Sequence, residues 1–232
     1  MTRCIVSCAY SDDGRYVKYA RRLEESLRAH GYKGAFKCWT ESFPPESPTH
    51  RETHYAFKVY AVKWALSQGH TSIAWLDSAC HAIADVEPLW TRIESEGHYI
   101  ITGGDVLGEW ISDQALAYFK VTRDEAMTLK LTGGCVVGLD FTKPVARAFY
   151  DQWMQLAQTK LFISAHSAYA PDKMKSLLVS DHDEKLIVSE DPRVKGHRSD
   201  EACFALQMRQ HGMSDVKLGT WAQIFKTGYE WV

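Results

Sequence analysis

Short apolar runs alternate along this chain with stretches whose apolar residues recur every three to four positions. Glycines and turn clusters separate the two kinds of segment. This alternation is the strongest constraint on the fold. A strand that leads into a helix and then into another strand buries its apolar surface best in a layered α/β structure. The helix carries the chain back along the sheet and covers one face as it does so, which leaves the strands largely parallel. Arg3 to Tyr10 reads as the first strand and Ser11-Asp12-Asp13-Gly14 as a turn. Tyr16, Ala20, Leu23 and Leu27 fall at helical spacing, with Gly31 as a stop. Ala35 to Trp39 reads as a second strand, and a proline-rich loop runs from Glu41 to Pro48. Phe57, Tyr60, Ala61, Trp64 and Ala65 form the clearest helical stripe, which puts Lys58 outside it, at the helix start. Thr71 to Asp77 is a short buried strand that ends on an acid.

Further on, Pro88 to Glu96 reads as a helix and His98 to Thr102 as a strand broken by Gly103-Gly104. Thr122-Arg123-Asp124-Glu125 has the pattern of a capping box. Cys135 to Leu139 reads as a strand that follows Gly133-Gly134. Pro144 suits the first turn of a helix that carries Ala146, Phe149, Trp153 and Leu156 on one face. A polar, irregular stretch from Ser164 to Lys195 has the character of an acceptor lid. A final helix is expected from about Asp200 to His211. No linker or repeat interrupts the 232 residues, and one domain over 1–232 is the expectation.

Composition narrows the function classes. With 45% hydrophobic and 24% charged residues, the chain is neither disordered nor fibrous. A net charge of -2 gives no general pull on nucleic acid or an anionic membrane, so any phosphate binding must be local. The longest apolar runs are too short to cross a bilayer, and the N-terminus has no signal-type apolar region, so a cytoplasmic protein is expected. Cys4, Cys8, Cys38, Cys80, Cys135 and Cys203 lack CxxC spacing and read as reduced, buried thiols. The basic residues between Arg15 and Lys37 read first as a solvated helix face and second as a contact to a polyanion. The tryptophans at 39, 90, 110, 221 and 231 suggest a lined groove or an interface.

In an α/β sheet, ligands sit beyond the carboxyl ends of the strands. There the sequence places Cys8-Ala9-Tyr10, Asp77-Ser78-Ala79, Gly103-Gly104 and Asp140. It has neither GxGxxG after the first strand nor GxxxxGK[ST] anywhere, which disfavours dinucleotide oxidoreductases and P-loop enzymes. Asp77 could hold a divalent metal against phosphates or cap a turn. Gly133-Gly134 would let a backbone approach a ligand closely, or simply bend. Lys58 could reach a phosphate or be solvated. Gly196-His197-Arg198-Ser199-Asp200-Glu201 combines a histidine, an arginine and two acids before a helix, where a helix cap is the plainer reading.

Taken in order, these signals resemble the nucleotide-sugar glycosyltransferases of the GT-A fold. The resemblance rests on Tyr55-Ala-Phe-Lys58-Val-Tyr-Ala, Trp75-Leu-Asp77-Ser-Ala79, Gly108-Glu-Trp-Ile-Ser-Asp113, Thr122-Arg-Asp-Glu-Ala-Met127, Gly133-Gly134-Cys-Val-Val-Gly138-Leu-Asp140 and Asp191-Pro-Arg-Val194 with His197-Arg198-Ser199-Asp200-Glu201. It covers roughly residues 1–215 and is greatest to a bacterial and viral branch, distantly like glycogenin-type transferases. It implies an α/β Rossmann-like domain with a mixed, mostly parallel central sheet. It also implies transfer of a sugar from a nucleotide-sugar donor, UDP-glucose by default, to a hydroxyl of a glycan, a protein or a hydroxymethylated pyrimidine in phage-type DNA.

By the same resemblance Asp77 and His197 would hold Mn²⁺ or Mg²⁺, although the usual Asp-x-Asp is reduced here to Asp77-Ser78-Ala79. Cys8, Ala9, Tyr10, Lys58, Ser78, Ala79, Gly103, Gly104, Gly133, Gly134 and Arg198 would line the donor. Tyr10 would stack on the base. Asp113 and Asp200 would hold sugar or acceptor hydroxyls, and one of them would serve as the catalytic base if the reaction inverts. Two other readings stand beside this one: a catalytically silent nucleotide or sugar binder, suggested by the missing acid, and a nucleotidyltransferase, which usually has a basic, glycine-rich loop where this chain has Cys8-Ala9-Tyr10-Ser11.

Overall fold

A computed structural model describes residues 2–11, 14, 16–169 and 188–228. Its centre is a six-stranded sheet in the order β2-β1-β3-β6-β5-β9, built from β1 (Arg3–Cys8), β2 (Ala35–Trp39), β3 (Ser72–Leu76), β5 (His98–Val106), β6 (Lys130–Asp140) and β9 (Val216–Lys217). β1 pairs in parallel with both β2 and β3, and β5 with β9, whereas β6 runs antiparallel to both its neighbours. One reversed strand in a sheet otherwise running one way is the mixed, mostly parallel α/β architecture that the sequence leads one to expect. Among the described residues are also two small two-stranded sheets. One pairs β4 (Cys80–Ala82) with β10 (Phe225–Thr227); the other pairs β7 (Ala165–His166) with β8 (Gly196–His197).

The sheet is buried on both faces because alternate strand residues feed two cores. Cys4, Val6, Ile73, Trp75, Ile100, Val137 and Leu139 face one way. They pack against α2 (Phe57–Ser67), α6 (Pro144–Ala157) and α7 (Ser199–Gln210). Ile5, Ala74, Leu76, Tyr99, Ile101 and Val136 face the other way, toward α1 (Val17–Ala29), α3 (Glu87–Glu96) and α8 (Leu218–Trp221). Phe149 and Trp153 of α6 meet Phe204 of α7 at ring distances of 5.5 and 5.1 Å, which closes the first layer.

Local chemistry explains several of the element ends. Thr122 and Glu125 form the expected reciprocal capping box on α5 (Arg123–Met127). Pro144 opens α6 where its missing N–H costs nothing. Gly31, Gly69 and Gly97 leave their helices with φ of +86, +83 and +90.

Several expectations need correcting. β5 does not stop at Gly103-Gly104 but continues to Val106 with shifted register, and Gly133-Gly134 lie inside β6, not before it. Gly103, Gly104 and Gly134 lie at the two register shifts of the β5–β6 pairing, so each glycine pair marks an irregularity within a strand and not its end. α4 (Asp113–Phe119), capped by the Ser112 side chain, has too few turns to show a period. The helix at 199–210 is not the last element, since β9, α8 and β10 follow it. Trp39, Trp90, Trp110 and Trp221 are buried core residues and line no groove. Trp231 and 170–187, the greater part of the expected lid, lie outside the described residues.

Gly138 shows how tightly α3 sits on the sheet. A Cβ there would lie 2.4 Å from Ile93 Cδ1 and 2.7 Å from its Cγ1. Gly138→Ala is expected to cost about 1–3 kcal/mol by overpacking, measured by urea unfolding. Part of that loss should return when Ile93→Ala is added, because the alanine vacates the contested space. Simple addition of the two losses would show that the contact is not the cause.

Candidate functional site

The reversed strand β6 brings the site together. Its register sets Leu76 opposite Val136, and one step further the Asp77 N–H donates to the Cys135 carbonyl at 2.9 Å. The end of β3 and the glycine pair inside β6 therefore meet. Above them lies the first turn of α2, where Lys58 is 2% exposed. The sequence placed Lys58 outside the apolar stripe, but Lys58, Ala61, Val62 and Ala65 form the buried face. α2 is apolar nearly all round, so its large residues gave the wrong phase: Tyr60 and Trp64 are only half-buried.

The Lys58 ammonium donates to the Gly134 carbonyl at 2.8 Å and pairs with Asp200 Oδ2 at 2.8 Å. Asp77 Oδ1 stands 3.7 Å away. The rings of Tyr55 and Trp75 lie 4.7 and 5.9 Å from the same nitrogen, within cation–π range. Burial alone would drive the lysine pKa down. The surrounding charges of Asp200, Asp77 and Glu201 outweigh it, so the pKa lies above its ordinary value and the group stays charged. Asp200 is 1% exposed and opens α7. By contrast the Asp77 side chain is 38% exposed, with Oδ1 accepting the Trp75 indole N–H at 2.8 Å. It is the most exposed of these three acids.

A second layer fixes α7 against β6. Glu201 Oε1 accepts the Gly134 N–H at 3.1 Å, and Thr132 Oγ1 donates to the Glu201 carbonyl. Arg198 pairs with Glu201 at 2.9 Å and with Asp105 at 3.3 Å, and its guanidinium lies 5.8 Å from the Trp110 ring centre. Tyr55 and Ser199, flanking Lys58 and Asp200 by three residues and one, both have positive φ, +57 and +42. Conformations so unfavourable for non-glycine residues persist only where the surroundings hold them. Here Ser199 bonds hydroxyl to hydroxyl with Ser164, whose N–H donates to buried His54 Nδ1 at 2.8 Å.

His197 occupies a different place from the one the resemblance implies. It is 2% exposed. Nδ1 accepts the Ser112 N–H at 3.2 Å, and Nε2 faces the Leu161 carbonyl at 2.6 Å. Because a carbonyl can only accept, Nε2 carries the proton and both ring nitrogens are spent on backbone. The imidazole therefore ties the segments around 112 and 161 to the start of α7.

The divalent ion implied by the resemblance would need a lone pair that His197 does not offer. Asp77 would bring a single carboxylate, and Ser78 and Ala79 bring none. Among the described residues no three His, Cys, Asp or Glu side chains group as a metal shell. The donor set does not fit a metal.

The remaining candidates divide. Ser78 and Ala79 are buried just beyond Asp77. Cys8 and Ala9 are buried at the end of β1, and burial pushes the Cys8 thiol up to about 11. Tyr10 follows them, half-buried and edge-on to Phe43 at 4.9 Å, with Phe43 in turn 5.4 Å from Phe57. Gly103 and Gly104 lie on the irregular part of β5, where Lys130 bonds the Gly104 carbonyl. Asp113 is held by Arg123 and by the Ser189 hydroxyl, with its side chain 61% exposed. No contact joins it to Lys58. The sequence named Tyr55 only as a motif member, Glu201 as one of two acids before a helix, and Trp110 as a residue of a groove or an interface. Their sole signal was adjacency to Lys58 and Asp200 and the Gly108–Asp113 motif.

Comparison with known proteins gives structural likeness only. No protein-family model matches the chain, and no curated protein matches its sequence. Among solved structures, the bifunctional glycosyltransferase WbbM aligns with a TM-score of 0.43 at 12% identity, over 68% of this chain and 34% of its own. A glycosyltransferase involved in glycosylation of the major capsid of PBCV-1 gives 0.41 at 14%, over 65% and 66%. Mouse xyloside xylosyltransferase 1 gives 0.46 at 12%, over 94% and 85%. The chain thus spans about a third of the first of these proteins and just under two thirds of the second.

Two consequences can be measured. Burial lowers the His197 pKa from 6.5 to about 4. Between those values the unfolded chain takes up a proton that the folded chain refuses, so stability is full above pH 6.5 and falls with acid. The slope is about 1.4 kcal/mol per pH unit, or about 2 kcal/mol lost by pH 5. Urea unfolding at pH 7 and 5 should show a smaller acid loss for His197→Gln than for the parent; equal losses would contradict the assignment. At Gly134, a Cβ would lie 2.9 Å from Lys58 Nζ and Glu201 Cγ and 3.2 Å from Asp200 Oδ2. Gly134→Ala should therefore destabilise by about 1–3 kcal/mol, whereas Gly104→Ala, which meets open space, should not.

Proposed function

We propose that this chain is a glycosyltransferase that moves a sugar from a nucleotide-sugar donor to a hydroxyl acceptor, with UDP-glucose the first donor to test. One observation carries the reading. Lys58, Asp77, Gly134 and Asp200 come from four motifs far apart in sequence, and they converge around the Lys58 ammonium at the carboxyl end of β3. These are motifs on which the resemblance rests. They lie where ligands of α/β sheets bind.

Sugar transfer breaks the bond between the anomeric carbon and an oxygen of the β-phosphate. It forms a bond from that carbon to the acceptor oxygen, whose proton must leave. The chain's task is to orient both partners and to meet the negative charge that grows on the leaving diphosphate. In this reading Tyr10, braced by Phe43, offers a ring for the base at the end of β1. Asp77, the open carboxylate, holds ribose or sugar hydroxyls. Arg198 and Lys58 provide the positive charge. Asp200, locked to Lys58, positions that cation.

A glycan or protein hydroxyl is the acceptor favoured by the state of the basic segment. Arg22 donates to the carbonyls of Ala79 and Gly228, Arg28 to those of Tyr32 and Gly34, and Arg21 pairs with Glu25. Guanidinium groups engaged in this way are poorly placed to track a DNA backbone. A silent nucleotide binder is the second reading, favoured by the lone carboxylate of Asp77-Ser78-Ala79.

The test is release of free nucleoside diphosphate from a panel of UDP-, GDP- and dTDP-sugars, with and without simple glycans. Turnover of one donor is expected, and Asp77→Ala should lower it at least a hundredfold in protein that is still folded. Nucleotide-dependent thermal stabilisation without turnover on any donor or acceptor would favour the silent binder.

A further inference from the structure

We propose that Lys58 is the resident cation of this site, so that the pocket takes a nucleoside diphosphate without a divalent metal ion. The proposal concerns what stands between the acids. In a site that coordinates a metal, oxygen donors from several segments converge on a point that the ion fills. Here a carboxylate of α7, a carboxylate at the end of β3 and a carbonyl of β6 converge in just that manner, and the point is filled by the Lys58 nitrogen. Asp200 Oδ2 and the Gly134 carbonyl are each 2.8 Å from it, and Asp77 Oδ1 is 3.7 Å away.

Three further facts keep the lysine in that position. Its stem is part of the buried face of α2 and cannot swing out without unpacking that face. Tyr55 lies over the ammonium on the open side and Trp75 faces it from the core. Glycine at 134 is what lets the nitrogen approach the backbone, since a Cβ would sit 2.9 Å from it. An incoming Mn²⁺ would therefore have to displace a buried charge that already satisfies the same oxygens. His197 could not help, with both ring nitrogens bonded to backbone.

The ammonium has three N–H bonds. Gly134 takes one of them, Asp200 Oδ2 pairs with the ammonium at 2.8 Å, and Asp77 Oδ1 lies 3.7 Å away. With the Lys58 side chain 3% exposed, a phosphate oxygen would approach beside the half-exposed Asp77 and meet the charge of the ammonium there. Lys58 would thus do as a fixed point charge what a bound ion does elsewhere.

The inference rests on the donor-site reading above only for its ligand. Its metal arm stands alone. The first measurement is a titration of the parent protein with Mn²⁺, followed by the loss of the free-ion EPR signal, with no nucleotide present. No stoichiometric binding below millimolar Mn²⁺ is expected. Saturable binding that disappears in Asp77→Asn would overturn the proposal, whatever the protein's function.

The second is the thermal shift given by UDP and GDP in EDTA and in Mn²⁺. Equal stabilisation in both is expected, and stabilisation only with Mn²⁺ would overturn the proposal. Lys58→Met should reduce affinity in EDTA at least tenfold, and affinity unchanged in a folded Lys58→Met protein would also overturn it. If the variant does not fold, the two parent measurements decide the matter. Should neither nucleotide bind under any condition, the donor reading fails and the Mn²⁺ titration still judges the role of Lys58.

Discussion

A charged nitrogen sealed from water must find compensation from whatever surrounds it, and much of the site follows from meeting that requirement at Lys58. Desolvation of an ammonium is costly unless acids and hydrogen-bond acceptors close around it. Asp200 must therefore sit at the first turn of α7, Gly134 must present its carbonyl from the middle of a strand, and β3 must end on an acid. Each requirement fixes a segment in relation to the others. Remove the cation and Asp200 is left buried with no counter-charge, the situation in which breaking a pair is most destabilising. The same interaction thus orders the pocket and holds α2, β6 and α7 together.

The sheet makes this convergence possible. In a purely parallel arrangement, strand ends would deliver only loops to the ligand side. The reversal of β6 instead runs a hydrogen-bonded strand past the end of β3, so the backbone of Gly134 belongs to the sheet. Around this fixed line the side-chain partners come from helices at their first turns. His197 adds a second anchor by spending both ring nitrogens on backbone groups of other segments.

Much of this arrangement was legible in the residues. The strands β1, β2 and β3, the capping box at Thr122, the opening of α6 at Pro144 and the placement of Asp77 at a strand end all follow from local rules. What escaped has identifiable causes. The phase of α2 was misread because large apolar residues cover most of its circumference, so the buried lysine looked exposed. The glycine pairs looked like strand ends because such a pair reads the same whether it closes a strand or, as here, sits at a shift in the register of β5 and β6. The partner of Glu201 was not foreseen because its bond is to the Gly134 N–H, 67 residues away, which no local pattern encodes. Histidine at 197 suggested a ligand from its company of charges, and only three-dimensional packing shows both its nitrogens occupied.

The position of Gly134 inside β6 also divides the pocket by stiffness. One wall is the backbone of β6, where the Gly134 N–H and carbonyl are bonded to Glu201 and Lys58, so it can shift only if α7 and α2 shift with it. The opposite wall consists of the aromatic ladder from Tyr10 through Phe43 to Phe57, together with His50 and Tyr55, carried largely by the loop between β2 and α2. Loops accept replacement far more readily than paired strands. Divergence among proteins built on this plan should therefore leave the side that meets charge unaltered and rewrite the side that meets rings. A change of base or sugar preference would then be a matter of loop sequence, with the electrostatic wall retained.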